Sequence, residues 1–368
     1  MSDTSHKYTH AFLCIPNIGS ETLKLLATHF GSIEKAWLAS PEEILALPKM
    51  RQTKKDGIIA GRKNIHPEKE WGKLLGQDTR LFTLDDQEFP VLLREIPDAP
   101  YTLYVKGNFD WTKPIPMVAI VGSRKFTAYG EQVATKLTED LTRAGILVVS
   151  GLAFGIDSVS HESALRAGGE TVAVLGSGIG NISPASHLPL AEKIMKHGAV
   201  ISEYPPDRSG DTWTFPARNR IIAGMTLGTV VIEAATGSGS LITAECALEY
   251  NREVFAVPGS IFSPYSIGTN TLIRKGAKIV TGVQDILEEI RVEAPPLSLD
   301  QTKGPRDIPG LTPEEIVILS ALTHEPIHID RIIKATKLGA ATVSSLLALL
   351  EIKGLAKNVG GMHYVRVQ

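Results

Sequence analysis

Between residues 118 and 280 short apolar runs alternate with stretches of helical periodicity: Val118–Val121, Ile146–Val149, Val172–Leu175, Thr229–Ile232, Val254–Val257 and Lys278–Val280. The first has no internal charge, as expected of a strand covered on both faces. Strands that alternate with helices imply an α/β fold with a mainly parallel, Rossmann-like sheet and right-handed crossovers. A chain of 368 residues, 43% hydrophobic, can bury a sizeable core and has the length of about two or three domains.

The turns that end these runs narrow the chemistry. Gly122-Ser123-Arg124 closes the first, with Lys125 next, and Ser150-Gly151 closes the second. Gly176-Ser177-Gly178 closes the third, and Glu233 to Ser240, ending Ser238-Gly239-Ser240, comes after the fourth. In a parallel sheet all these turns share one edge, where open α/β sheets bind ligands. Glycine lets backbone approach a ligand closely, and serine adds hydroxyl donors. Helix-start amides and the Ser123 hydroxyl can hold an anion, and Arg124 can grip phosphate with two prongs. A single such turn would read as an ordinary loop with a solvated arginine. Several on one edge make a phosphate-binding rim.

The formal net charge is −2, so a nucleic-acid role needs a local basic site. Phe215-Pro216-Ala217-Arg218-Asn219-Arg220 offers one: an aromatic for base stacking beside guanidinium groups for the backbone. The competing reading puts Phe215 in the core and pairs Arg218 with Glu233 or Asp157, because a buried arginine usually needs a carboxylate. Asp157 and His161 stand four apart on one helix face; without a further ligand at metal spacing they read as structural hydrogen-bonding groups. Cys14 and Cys246 form no metal or redox pattern, which suits a reducing cytoplasm. No signal peptide or membrane-spanning run is expected, and no cofactor.

The flanks read as separate modules. Residues 1–75 should form a small helical domain of the SAM or helix-hairpin-helix kind. Ser20 is a plausible cap for a helix ended by Gly31, and Ser40-Pro41-Glu42-Glu43 opens another. The Ile15-Pro16-Asn17-Ile18-Gly19 turn resembles the hairpin of DNA-contacting modules. Residues 76–291 make the extended central domain, with Tyr101–Val105 a strand joining its sheet. Four prolines over 292–310 mark a linker. Residues 311–368 read as a winged helix, with helices over 316–322, 328–335 and 340–352. The third carries one acid and no base, so a protein-contact or regulatory role is favoured over groove reading.

The segments IVGSRKFTAYG, VVSGLAFGIDSVSHESALRAGGETVAVLGSG, ISEYPP, FPARNRIIAG, VVIEAATGSGSLITAECALEYNREVFAVPGS and GTNTLIRKGAKIV resemble the DprA/Smf family of DNA-processing proteins, in order over roughly residues 85–282. The resemblance implies a Rossmann-like domain that binds single-stranded DNA without chemistry. It also implies a homodimer and delivery of RecA recombinase onto strands coated by single-strand binding protein. Gly122, Ser123 and Arg124 inherit a phosphate contact; Phe215, Arg218 and Asn219 a lining role; Ser238, Gly239 and Ser240 the turn facing them. Two departures stand out: Ser183-Pro184 replaces a tyrosine-proline pair, which removes an expected rim aromatic, and Gly237 replaces a larger or basic residue.

Two enzymatic alternatives fail on single residues. A phosphoribohydrolase-like site would need a glutamate where Thr243 stands, and Glu245 would point elsewhere on a helix. A dinucleotide site would need the final glycine that Gly176-Ser177-Gly178-Ile179-Gly180-Asn181 lacks. A module that only senses a small nucleotide remains as a third alternative.

Overall fold

The computed structural model describes residues 3–292, 311–323 and 325–367; apart from Val292, the expected linker lies outside them. Nine strands form one sheet: β1 (Arg80–Thr83), β2 (Thr102–Gly107), β3 (Met117–Val121), β4 (Leu147–Ser150), β5 (Thr171–Val174), β6 (Ala199–Ser202), β7 (Gly228–Val231), β8 (Glu253–Ala256) and β9 (Lys278–Ile279). Their order is β1-β2-β6-β5-β4-β3-β7-β8-β9. From β6 to β9 every pairing is parallel, and β1 and β2 extend one edge antiparallel.

The six expected strands are present, each end within one residue of its prediction. β4, β5, β6 and β7 are buried throughout, as continuous apolar runs require. The chain climbs from β3 outward to β6, then returns to β7 on the other side of β3. The boundary between β3 and β7 is therefore the topological switch point, where a crevice opens beyond the strand ends.

The N-terminal part is helical: α1 (Asp3–Leu13), α2 (Ser20–Phe30), α3 (Ile33–Leu38), α4 (Pro41–Leu45), α5 (Gln52–Asn64) and α6 (Pro67–Gly76). Gly31 ends α2 in the left-handed region at φ 78°, and Ser40 closes a capping box with Glu43 on α4. Ser20 departs from its expected role. Gly19 holds the cap position, and the Ser20 hydroxyl accepts from Tyr101 N at 3.0 Å and donates to Glu203 Oε1 at 3.3 Å. These helices share an apolar cluster with Leu81 of β1 and Tyr104 of β2, where His10 Nδ1 and the Tyr104 hydroxyl meet at 2.8 Å.

A short helix, α7 (Val91–Arg94), lies between β1 and β2. The crossovers are α8 (Ala128–Arg143), α9 (Ile156–Arg166), α10 (Leu188–His197), α11 (Thr214–Gly224), α12 (Gly239–Glu249) and α13 (Ile267–Arg274), and α14 (Val283–Ile290) follows the last strand.

The C-terminal part is a second compact unit. It comprises α15 (Pro313–Ala321), β10 (Ile327–His328), α16 (Ile329–Thr336), α17 (Ala340–Ile352), β11 (Ala356–Gly360) and β12 (His363–Arg366). Thr312 and Glu315 form a capping box on α15, and Ile318, Ile332, Val343, Leu347 and Leu350 fill the core. Three helices and a small sheet ordered β10-β12-β11 make a winged helix. Among the described residues no single helix is long and apolar enough to cross a membrane.

Candidate nucleic-acid interface

Five loops at the carboxyl edge of the sheet are joined by backbone and side-chain contacts. Ser123 N donates to Glu233 O at 2.7 Å, linking the loops after β3 and β7. Ile156 N donates to Ser123 O at 3.2 Å, linking the β3 loop to the start of α9. Gly155 has φ 89°, and a Cβ on it would sit 2.3 Å from Ser123 O, so the β4 loop reaches the β3 loop only through glycine. Gly178 N donates to Arg208 O at 2.8 Å, and the Ser202 hydroxyl donates to Ser177 O at 2.7 Å; both bonds join the β5 and β6 loops. Phe215 at the start of α11 packs on the bare Cα of Gly176, and Asn219 Nδ2 donates to Gly239 O at 3.1 Å. The expected site residues thus come together, with Arg220 as the exception.

The serines do not present their hydroxyls as expected. The Ser123 hydroxyl accepts from Lys125 N and donates to Lys125 O, closing its own turn. The Ser177 hydroxyl donates to Asn181 O at 2.6 Å. A hydroxyl has one proton to give, so neither can donate to a ligand in this arrangement. The Ser238 and Ser240 hydroxyls pair with each other at 2.8 Å, and Ser238 leaves the first amides of α12 without a side-chain cap. Those amides form the positive end of the helix.

The arginines divide by position. Arg218 is 5% exposed; its Nη1 donates to Gly151 O at 2.5 Å and to Val174 O, gripping the ends of β4 and β5. A Cβ on Gly151 would lie 2.0 Å from that nitrogen. Burial pulls the guanidinium down to about 10, Asp157 opposes the fall and the charge of Arg124 adds to it. Arg218 therefore stays charged at neutral pH, close enough to Arg124 to feel it. The expectation that Arg218 grips phosphate is corrected: the side chain is buried and its Nη1 is taken by two strand-end carbonyls. Arg220 is corrected likewise. It pairs with Glu203, and its Nε lies 3.7 Å from Asp98. Arg124 and Lys125 are exposed, and no carboxylate among the described residues pairs with either side chain.

Asp157 and His161 are structural, as expected. Asp157 accepts from the amides of Gly151 at 3.1 Å and Ala153 at 3.4 Å, while burial pushes its carboxyl upward against the pull of Arg218. His161 Nδ1 lies 2.8 Å from Thr171 Oγ1, which donates to Val148 O at 2.7 Å. Thr171 has no second proton to give, so His161 is the donor and carries its hydrogen on Nδ1. Burial holds its basicity down to about 3.

Thr243, where a catalytic glutamate would stand, is buried in α12. Glu245 lines a small cavity with Leu241, Thr271 and Lys275, against α13. Exposed aromatics at these loops escaped the motifs, among them Phe154 in the β4 loop, 50% exposed, and Trp213 before α11, 55% exposed. Their signal was adjacency, since each flanks a motif already singled out.

Comparison with known proteins bears on the family. Residues 80–291 match the family model of DNA recombination-mediator protein A, and residues 302–362 that of the DprA winged helix domain. The chain is 35% identical to Protein Smf of Synechocystis over the whole of both chains. It is 40% identical to DNA processing protein DprA of Bacillus subtilis, over 70% of this chain and 89% of that one. The crystal structure of DNA processing protein A from Streptococcus pneumoniae superposes with a TM-score of 0.69 at 35% identity, covering 78% of this chain and 99% of that chain. The Helicobacter pylori protein, solved in a study of its single-stranded DNA binding mode, gives 0.52 at 28% identity, covering 58% of this chain and 96% of that one. The chain belongs to the DNA recombination-mediator protein A family, that of the DprA and Smf proteins.

Proposed function

We propose that this protein binds single-stranded DNA at the carboxyl edge of its sheet and performs no chemistry on the strand. The observation that carries the reading is the pairing of a hydrogen-bonded rim with two exposed cations. Buried Arg218 and the stitched loops tie the edge together, while Arg124 and Lys125 stand open at the switch point without carboxylate partners among the described residues. Backbone amides at the start of α12 and these two side chains suit a sugar-phosphate chain, which carries charge without base information. The Helicobacter pylori relative, described by its single-strand binding mode, supports the same ligand.

On the family resemblance, the protein works in the cytoplasm as a homodimer that delivers RecA onto strands otherwise coated by single-strand binding protein during transformation. A module for a small nucleotide would hold one phosphate group, whereas this edge runs across several loops. Titrating the full chain with oligothymidylate and with thymidine monophosphate separates the two. Tight binding of the oligomer and weak binding of the monomer are expected. Equal affinity would overturn the single-strand site.

A further inference from the structure

The loop between β6 and α11 carries three planar side chains beside the interface. The Arg208 guanidinium lies 5.1 Å from the Tyr204 ring centre and 5.3 Å from that of Trp213. The two rings meet edge to face, with centres 6.2 Å apart at an interplanar angle of 89°. Arg208 is anchored to the rim through its carbonyl, which accepts from Gly178 N at 2.8 Å. Its Nε is buried without a hydrogen-bond partner among the described residues, and Asp211 stands 3.9 Å from Nη2. The cation therefore lies beside two rings, with Asp211 at the outer limit of ion-pair distance.

A core role does not account for Trp213. Its ring is 55% exposed, and it stands two residues before Phe215, which packs on Gly176. An open indole with a guanidinium beside it offers a face to stack on and a charge for the adjoining phosphate. Every nucleobase has a π-face, so such a platform tolerates any sequence.

We propose that Tyr204, Arg208 and Trp213 form a stacking platform for a nucleobase, a second subsite beside the glycine-serine loops. The inference rests on reading the sheet edge as a single-strand site. It places bases against the β6–α11 loop while the backbone lies along the exposed cations.

Tryptophan emission reports on the platform directly, because Trp37 and Trp111 are buried and Trp71 is half-buried. The full chain is titrated with oligothymidylate and with an abasic strand of equal length. The expected result is quenching by the base-bearing strand and much less by the abasic one. Trp213→Phe should abolish most of the quenching, and Trp213→Ala should weaken binding of the base-bearing strand by about ten-fold or more, while affecting the abasic strand little. Trp213→Phe keeps a ring and should bind more tightly than Trp213→Ala, which separates stacking from loss of fold. Quenching retained in Trp213→Phe, or equal loss for both strands, would overturn the platform and leave the single-strand site standing. No binding of oligothymidylate by the unaltered chain would overturn both.

Discussion

A guanidinium shut inside a protein ordinarily demands a carboxylate, and the sequence put Glu233 and Asp157 forward as partners for Arg218. Asp157 is near enough to oppose the cost of burial, yet the hydrogen bonds go to Gly151 O and Val174 O. Asp157 is itself occupied by the amides of Gly151 and Ala153. Gly151 thus faces the arginine with its carbonyl and the aspartate with its amide, and its missing side chain leaves room for both. Arg218→Ala should destabilise the fold by about 2–4 kcal/mol, since two strand-end carbonyls lose their partner and Asp157 its counter-charge. Gly151→Ala should cost about 1–3 kcal/mol by overpacking. Because the clash is with the arginine, the double variant should lose less than the sum. Denaturant melts of the three variants check this, and strict additivity would contradict the clamp. Residue type and position were legible here, but direction was not. Residues two apart on a helix face different sides, so Arg218 points into the strand ends and Arg220 toward Glu203, a division that only the phase of α11 decides.

Among elements, the sheet was largely legible because buried parallel strands are continuous apolar runs. The strand β6 (Ala199–Ser202) escaped because its apolar part is short and runs directly into the polar Glu203-Tyr204 segment. The rim was legible as a set of turns, but not the closing of its serines onto their own loops, since sequence shows a hydroxyl and not its acceptor. His161 ties α9 to the middle of the sheet through Thr171 and Val148, and this link has a pH signature. Its basicity falls from an ordinary 6.5 to about 3 in the folded protein, and that of His10 to about 4. Both are neutral when folded and take a proton when unfolded below pH 6.5. Their contribution to stability is therefore complete above that pH and is lost as pH falls toward 4. Each should contribute about 1.4 kcal/mol per pH unit below 6.5. Denaturant melts between pH 6.5 and 5, above most carboxylate titration, should show this slope. His161→Asn, which keeps a donor for Thr171, should remove the share of one histidine. A slope unchanged by the substitution would contradict a neutral, buried His161.

At the scale of the whole molecule, the scarcity of local positive charge guides the proposal. The net charge is −2, and α17 of the winged helix exposes Ala341, Ser345, Ala348 and Ile352 with no basic side chain along its length. A groove reader needs cations on that helix, which is why strand binding is proposed at the sheet edge and not there. The expected rim aromatic is absent where Ser183-Pro184 stands, while Trp213 and Phe154 are exposed on other loops. The most direct measurement is the salt dependence of oligothymidylate binding by the full chain and by Arg124→Ala. Loss of a single phosphate contact should weaken binding at low salt and lower the slope of log K against log salt by about 0.7 for a single strand. Unchanged affinity with an unchanged slope would show that the strand does not lie across this edge of the sheet.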